Sequence, residues 1–276
     1  MIDLHIHSYY SDGSMSVGEI VKLAKEKNLE AISLTDHDCI DGVTEALRLG
    51  KEYGIEVIPG IELSAKSDTE THILGYFIDI HNEGLNSKLE EIKQNRMNRA
   101  LETGEKLQKL GFDVSFDEAM ALAKGGLVGR AHFAKVMENK GYVSSVKEAF
   151  ALYLSAGRPA YCENQRLTSG EAIDIIRKAG GRAYLAHLNQ TKKSGNELYE
   201  FVAKLKSEGL SGVDGYYSEY TVEQTEEYQA LAKKLGLRIS GGSDFHGSMK
   251  PHISMGTGFG NLNIPYSVLE NMKKDK

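Results

Sequence analysis

The sequence predicts an α/β fold in which a closed or nearly closed barrel is interrupted by a helical insertion. In residues 1–82, short apolar runs alternate with amphipathic helical patterns, and the alternation returns in residues 163–276. Residues 83–162 carry helical patterns without a convincing buried strand. Alternating strands and helices imply βαβ units and a parallel sheet. About seven such units favour a barrel, and an open doubly wound sheet is the alternative.

The first part of the predicted barrel begins with a strand over Ile2–His7 and a helix over Val17–Lys27. Apolar residues recur at helical spacing along that helix and mark its buried face. Gly54 is placed to end the second helix, because glycine readily adopts the left-handed conformation found there. The other elements of this part are the strand Ala31–Thr35, the helix Asp41–Tyr53, and the strands Ile55–Leu63 and Thr71–Ile78.

The helical insertion opens with a long helical period from Leu85 to Leu110, with many charged residues between the apolar positions. Shorter helical patterns follow, and we expect the whole stretch to form a cap on the barrel. These patterns cover Phe116–Ala123, Arg130–Lys140 and Val143–Leu154.

The second part of the barrel repeats the strand and helix alternation of the first part. The pair Gly241-Gly242 is interpreted as a turn, and Lys273–Lys276 as a frayed end. The predicted helices are Ser169–Ala179, Asn196–Ser207 and Val222–Leu235, and the predicted strands are Arg182–His187, Gly212–Tyr217 and Leu237–Ser240.

The composition is that of an ordinary soluble protein, with 41% hydrophobic and 26% charged residues among 276. No apolar run is long enough to span a bilayer, and the N-terminus lacks a secretion signal, so we expect a cytoplasmic protein without a membrane partner. The cysteines, Cys39 and Cys162, cannot form a disulfide framework. A net charge of −6 argues against stable binding of duplex nucleic acid, but not against a phosphate substrate at a metal site.

Two pairs of polar residues stand at the ends of predicted strands. His5 and His7 are separated by one residue, so their imidazoles point to the same face of a strand. Asp244 and His246 repeat this arrangement after the last strand. Active sites of barrels form at the carboxyl ends of the strands, where two such pairs can converge on a metal ion.

Five further residues have the same placement beside strand ends. A single histidine there is usually structural, but a set that recurs over successive units indicates a metal site. Imidazoles mixed with carboxylates suit Mn, Zn or Fe, with Mg also compatible. The complete predicted ligand set is His5, His7, Asp12, His37, Glu62, His72, His187, Asp244 and His246. Asp3 lies on the same strand face as His5 and is predicted to support a ligand imidazole.

These motifs resemble the PHP (polymerase and histidinol phosphatase) family of metal-dependent phosphoesterases. The resemblance implies a distorted (β/α)7 barrel with two or three divalent cations. It implies that His5, His7, Glu62 and Asp244 hold the first cation, that Glu62 bridges to a second completed by His72 and His187, and that Asp12, His37 and His246 hold a third. The matching segments are Asp3–Ser8, Ser11–Gly13, Thr35–Asp38, Pro59–Glu62, Ala186–His187 and Gly242–His246. Leu188 departs from the family, where proline often follows this histidine.

Within the family, the insertion resembles that of the stand-alone members acting on nucleotides. Those members are 3′,5′-nucleoside bisphosphate phosphatases and a 5′-to-3′ exoribonuclease acting on short RNA. The segments Gly129–Ala134 and Gly157–Tyr161 carry this likeness. Arg130 is suited to a terminal phosphate, because its planar fork makes bidentate contacts. His132 is a further candidate for substrate binding, and Arg99 and Arg96, on the long helix, are weaker ones.

The predicted reaction is hydrolysis of a phosphate ester by a hydroxide on metal held by Glu62, His5 and His7, with His132 as a candidate proton donor. The expected substrates are small phosphorylated molecules, namely nucleoside 3′,5′-bisphosphates or 5′-phosphorylated short oligonucleotides. Three alternatives stay open: a histidinol-phosphate phosphatase, a non-catalytic metal-binding accessory module, and an amidohydrolase acting on C–N bonds.

Overall fold

A computed structural model describes residues 1–66, 71–123, 128–163 and 167–274 of the chain. The chain divides into two compact units. The barrel unit comprises Met1–Ser87 together with Arg166–Lys276, and the helical unit comprises Lys88–Gln165. Among the described residues, no helix combines the length and apolar character needed to cross a bilayer.

The barrel unit contains the strands and most of the long amphipathic helices, close to their predicted bounds. Its strands are β1 (Ile2–Ile6), β2 (Ala31–Leu34), β3 (Glu56–Lys66), β4 (Thr71–Tyr76), the short β5 (Leu167–Thr168), β6 (Arg182–Leu185), β7 (Gly212–Tyr217) and β8 (Arg238–Gly242). Its helices are α1 (Val17–Glu26), α2 (Val43–Tyr53), α7 (Ser169–Lys178), α8 (Gly195–Ser207), α9 (Val222–Leu235) and α10 (Tyr266–Lys273).

Local signals in the sequence set the helix ends. The hydroxyl of Ser16 accepts from the Glu19 amide, while the Glu19 carboxylate accepts from the Ser16 amide, so two otherwise unpaired donors are satisfied at the start of α1. Thr168 and Glu171 make the same reciprocal cap on α7. Gly54 ends α2 with φ of 70°, as its sequence position predicts.

The strands form a nearly closed barrel in the order β1-β2-β3-β4-β6-β7-β8, with β5 paired outside this path to β3. Contact between β8 and β1 is made just beyond β8, where the amide of His7 donates to the carbonyl of Phe245 at 2.9 Å. The prediction of a distorted seven-stranded barrel is confirmed, and the open-sheet alternative is wrong because the first and last strands meet.

One strand runs opposite to the predicted direction. We expected parallel strands throughout, but β4 pairs antiparallel with both β3 and β6. Only four residues separate Lys66 from Thr71 in the sequence, and a link this short joins antiparallel neighbours, whereas a parallel crossover needs a dozen or more residues. The barrel is therefore mixed.

The carboxyl end of the barrel unit differs from the sequence prediction at two places. Gly241 and Gly242 lie inside β8 and not in a turn. Helix α10 was not predicted at all, since it has only eight residues and begins directly after Pro265. Its buried residues Leu269 and Met272 belong to the same core as Leu4 of β1. Lys273, which was predicted to be part of a frayed end, is the last residue of this helix, and residues 275–276 of that prediction lie outside the described residues.

The core of the barrel unit has an outer and an inner part. The outer part lies between β1 to β3 and the helices α1 and α2, with Ile20, Val21 and Leu49 among its members. The inner part contains Tyr76 and Tyr184, both fully buried. These large side chains fill the interior of the barrel by close packing. The polar residues at the strand ends are buried beside this apolar interior.

The helical unit has its own apolar core, which includes Leu107, Phe133, Met137 and Leu154. A π-helical turn over Phe150–Leu154 directly follows the short helix that ends at Ala149. Within the described residues of this unit the elements are helical, as the sequence predicts: α3 (Glu83–Lys109, which begins in the barrel unit), α4 (Phe116–Leu122), α5 (Arg130–Asn139) and α6 (Val146–Ala149). Its role as a cap stays a prediction.

Candidate metal centre

The structure brings all nine predicted ligands together at one end of the barrel. Most of them lie at or just after the carboxyl end of a strand, as expected. His72 lies instead near the start of β4. Because β4 is antiparallel to its neighbours, its amino end is at the same edge as their carboxyl ends. The reversed strand thus explains why a histidine at its beginning belongs to the cluster.

Glu62 is at the centre of this cluster and is fully buried. Its Oε2 lies 3.1 Å from Nε2 of His5 and 3.2 Å from Nε2 of His7. Its Oε1 lies 2.9 Å from Nδ1 of His72 and 3.1 Å from Nε2 of His187. Its Oε2 also lies 3.4 Å from Nδ1 of His37. The two carboxylate oxygens therefore face different sets of imidazoles, which is the geometry that a bridging ligand requires.

Asp244 and Asp12 complete the cluster on the side of His7. Asp244 Oδ1 lies 3.2 Å from Nε2 of His7, and Asp12 Oδ1 lies 3.2 Å from Nε2 of His246. Asp12 Oδ2 is 3.8 Å from Nε2 of His37. Asp12 is the exposed member, with 53% of its side chain accessible, so this part of the cluster opens to solvent.

Three overlapping groups of these side chains have ligand atoms within 4.8 Å of one another and could each hold a cation. His37 belongs to two of them, because its Nδ1 is 3.4 Å from Glu62 while its Nε2 faces Asp12. The groups are His7 with Asp12, His37 and His246; His5 with His7 and Asp244; and His37 with Glu62 and His72.

The chemistry of the donors fits divalent cations. Nitrogen atoms of four buried or nearly buried imidazoles in the described chain make no well-aligned hydrogen bond, although several of them lie near carboxylates: His5 Nδ1, His7 Nδ1 and Nε2, His37 Nδ1 and His187 Nδ1. A buried polar atom without a partner costs free energy unless something else satisfies it. Imidazole lone pairs together with three carboxylates form a donor set that cations such as Zn, Mn or Fe prefer.

The charges in the cluster are strongly coupled. Burial disfavours the charged forms, but the imidazoles of His37 and His5 outweigh this effect and hold the pKa of Glu62 well below its usual value. Burial likewise opposes protonation of His7, yet Asp244 and Glu62 raise its pKa to about 10. For His37 burial prevails and lowers the pKa to about 3. The carboxylates thus stay ionised and need positive charge beside them, which a cation would supply.

Three residues at this site were missed by sequence analysis. Asp214, fully buried on β7, places Oδ2 3.4 Å from Nδ1 of His5. Lys250 Nζ lies 2.6 Å from Oδ2 of Asp244, and the hydroxyl of Tyr217 donates to the same oxygen at 3.1 Å. A carboxylate inside the apolar strand Gly212–Tyr217 was the available signal, whereas nothing in the sequence distinguishes Lys250 from other lysines.

The role predicted for Asp3 is wrong. Its carboxylate accepts hydrogen bonds from the amides of Ser243 and Gly256 and from the Ser243 hydroxyl, and these contacts hold the segment before Asp244. The residue that supports a ligand imidazole is Asp214. The register of β1 against β2 shifts between Asp3 and Ile6, so the simple alternation that placed Asp3 and His5 on one face does not hold there, whereas Asp214 approaches the ring from another strand.

The loop after His187 also depends on a backbone contact. The amide of Leu188 donates to the hydroxyl of Tyr220 at 2.7 Å. Proline has no amide hydrogen, so this bond exists because the chain has leucine where the resemblance led us to expect proline.

The predicted substrate residues lie in the helical unit, at three separate points. The guanidinium of Arg130 donates through Nη1 to the carbonyl of Leu154 at 2.9 Å and lies over the rings of Phe150 and Tyr161. Nδ1 of His132 accepts from the Gly129 amide, which assigns the ring proton to Nε2. Burial lowers the pKa of His132. Arg99 is half-buried on α3, and Arg96 lies one turn before it.

Comparison with known proteins identifies the family. The PHP domain matches residues 3–235. A 5′-3′ exoribonuclease of Haemophilus influenzae is 36% identical over 245 residues, which cover 88% of this chain and 89% of that protein. A 3′,5′-nucleoside bisphosphate phosphatase of Chromobacterium violaceum is 31% identical over 247 residues, which cover 89% of this chain and 87% of that protein.

Solved structures of similar fold support the same family assignment. A Chromobacterium violaceum protein named an amidohydrolase, with bound sulfate and no metal, has a TM-score of 0.77 at 30% identity, covering 89% of this chain and 87% of that one. A Bifidobacterium adolescentis protein assigned to the metal-dependent phosphoesterases has a TM-score of 0.81 at 25% identity, covering 98% and 94%. The predicted resemblance is confirmed: this chain belongs to the PHP family and is a metal-dependent phosphoesterase.

Proposed function

We propose that this enzyme hydrolyses phosphate esters of nucleotides, with nucleoside 3′,5′-bisphosphates and 5′-phosphorylated short oligonucleotides as its substrates. The observation that carries the proposal is the position of Glu62, whose two oxygens face separate sets of imidazoles. The named activities of the relatives from Haemophilus influenzae and Chromobacterium violaceum support the substrate class.

The nine clustered side chains would hold two or three divalent cations, with Glu62 as the bridge. When bound, such cations polarise a phosphoryl oxygen and activate a water molecule near neutral pH. His5, His7 and Asp244 would hold one side of the bridge, and His72 and His187 the other. Asp214 keeps the His5 ring in place by facing its Nδ1. Asp12, His37 and His246 would bind at the solvent-exposed side.

The helical unit would supply the residues that bind the substrate. Arg130 is held between two aromatic rings and uses one nitrogen on Leu154, so its other donors can bind a terminal phosphate. His132 carries its proton on Nε2, from which it would donate to a phosphate or to the leaving oxygen. Arg99 would add positive charge. Under this proposal residues 83–162 act as the cap of a barrel formed by residues 1–82 and 163–276.

The test is a hydrolysis assay with Mn, Zn or Mg supplied, which measures released phosphate for the monoesters, released nucleotides for the RNA and released amine for the amides. Substrates are 3′-phosphoadenosine 5′-phosphate, a 5′-phosphorylated RNA pentamer and histidinol phosphate, together with a panel of amides. We expect turnover of the first two, and its loss after chelation. Because Asp244 and His37 would be ligands, Asp244→Asn and His37→Ala should each lower kcat/KM by at least about 100-fold.

An exposed carboxylate far from the cluster provides the control, since Asp174→Asn on α7 makes a similar chemical change and should leave the rates unaltered. Preferred turnover of histidinol phosphate or of amides would contradict the proposed substrate class. Wild-type rates after chelation would contradict the metal mechanism.

A further inference from the structure

A groove lined by lysine side chains lies on the barrel unit, outside the cluster of metal ligands. It has a volume of about 630 Å³ and is lined by Lys66, Lys193 and Lys204, with Glu208 as the carboxylate on its wall. The first turn of α7, at Ser169 and Gly170, forms another part of the wall. Neither the metal centre nor the proposed contacts of the helical unit use any of these residues.

One end of the groove is at the same end of the barrel as the metal centre. Lys66 lies on β3 four residues beyond Glu62, so both side chains point to the same face of that strand. At about 3.3 Å per residue, their Cα atoms are about 13 Å apart. Glu62 is buried and Lys66 is exposed, so the shared face runs from the cluster out to solvent. Lys193 follows the ligand His187 after a single 3-10 turn.

Positive charge predominates on the wall of the groove. Lys193 is paired with Glu197 and lies over the ring of Phe201, while Lys204 is 3.9 Å from Glu208. The Glu208 carboxylate reaches the amino end of α7, where its Oε2 is 3.1 Å from the position that a Cβ on Gly170 would take. This anion at a helix amino terminus has a favourable dipole interaction, and it occupies space that another anion could take.

Building on the proposed function, we propose that this groove binds the phosphodiester backbone of a single-stranded oligonucleotide, downstream of the nucleotide at the metal centre. Cationic grooves follow single strands through their phosphates, without reading sequence. A nucleoside bisphosphate at the metal centre has no phosphodiester linkage, so it has no backbone to place along the groove. The groove therefore favours oligonucleotides over mononucleotides.

Lysine variants test the proposal through the difference between two substrates. Lys66→Gln and Lys204→Gln should each lower kcat/KM for a 5′-phosphorylated RNA pentamer about fivefold near 0.1 M salt, and reduce the salt dependence by about 0.7 logarithmic units per decade. The rate with 3′-phosphoadenosine 5′-phosphate should not change. Lys22→Gln and Lys25→Gln, exposed on α1, are matched controls and should behave as wild type.

Glu208→Gln should have the opposite effect, because it removes the negative charge from the wall of the groove. We expect a several-fold higher kcat/KM for the pentamer and an unchanged kcat/KM for the bisphosphate. A pentamer that keeps the scissile phosphodiester but has uncharged methylphosphonates at its other linkages should respond to none of these variants. Opposite effects of Lys204 and Glu208 on one substrate would not arise from a merely structural role of either residue.

Equal losses on both substrates, or an unchanged pentamer rate in the lysine variants, would overturn the groove proposal while leaving the proposed function in place. If the wild-type enzyme cleaves neither substrate, the proposed function fails. In that case, fluorescence anisotropy with a labelled pentamer and the manganese-loaded protein measures binding affinity and tests the groove proposal separately. Unaltered affinity in Lys66→Gln and Lys204→Gln would overturn it, and weaker affinity would support it.

Discussion

Asp214 is the buried carboxylate on which two of the proposed ligands depend. Its Oδ2 faces Nδ1 of His5 at 3.4 Å and accepts from the backbone amide of His187 at 3.2 Å. Its Oδ1 accepts from the hydroxyl of Ser240 at 2.7 Å. A carboxylate behind a ligand imidazole fixes the orientation of the ring and makes the other nitrogen a better donor.

At the residue scale we predict that Asp214→Asn weakens metal binding by about 10- to 100-fold without unfolding the protein. The amide keeps the shape of the carboxylate but loses the charge that faces His5. The measurement is a competition titration with a chelating dye, alongside circular dichroism. Asp174→Asn, an exposed carboxylate paired with Lys178, serves as the control. Wild-type affinity in Asp214→Asn would contradict the role assigned to this residue.

At the scale of elements, the contact between the last strand and the first depends on glycine. A Cβ on Gly242 would overlap the Cβ and the backbone nitrogen of His5. Glycine is therefore required here for close approach of two backbones and not for a turn. The neighbouring amide of Asp244 donates to the carbonyl of His5 at 2.9 Å, so the same close contact positions two proposed metal ligands.

Gly242→Ala should destabilise the fold by about 1–3 kcal/mol and weaken metal binding, because the added methyl group pushes β8 away from β1. The comparison is Gly18→Ala on α1, where the nearest atom to the new methyl is the Cδ1 of Leu49 at 3.9 Å. That change should instead stabilise the protein by up to about 1 kcal/mol. Denaturant unfolding measures the free energy of unfolding of both variants. Equal values for Gly242→Ala and Gly18→Ala would refute the packing argument.

At the scale of the whole molecule, the proposed metal centre links parts of the chain that are distant in sequence. Its residues come from the first strand, from the loop after the last strand, and from five segments between them, over His5 to His246. A ligand that binds only the folded state stabilises the entire structure through this set. The centre should therefore contribute to folding as well as to catalysis.

We predict that Mn²⁺ raises the Tm of the protein in a concentration-dependent manner. For each site the free energy of unfolding should increase by about 2.7 kcal/mol at one hundred times the Kd. Differential scanning calorimetry with and without chelator measures the effect. Glu62→Gln should reduce it strongly, because Glu62 faces five imidazoles, whereas Glu197→Gln should not. An unchanged Tm in saturating metal would count against a metal centre in this cluster.

Much of the site could be predicted because its signals are local. The separation of His5 from His7 by one residue is enough to place both imidazoles on one strand face. The recurrence of acids and histidines after successive apolar runs then indicates a shared edge of the sheet. The alternation of apolar runs and helices predicted the barrel, and helix caps such as Ser16 with Glu19 could be identified from adjacent residues.

The amino-acid sequence was thus sufficient for the strand and helix alternation, the family, and the set of residues that meet at one end of the barrel. The tertiary structure decided which strands are neighbours and in which direction they run. It showed that His72 reaches the cluster through the reversal of β4, and it alone brought Asp214 behind His5 and aligned Lys66 with Lys204 in one groove. The physical reason is range: periodicity and capping act over a few residues, whereas strand pairing and charge contacts depend on segments far apart in the chain.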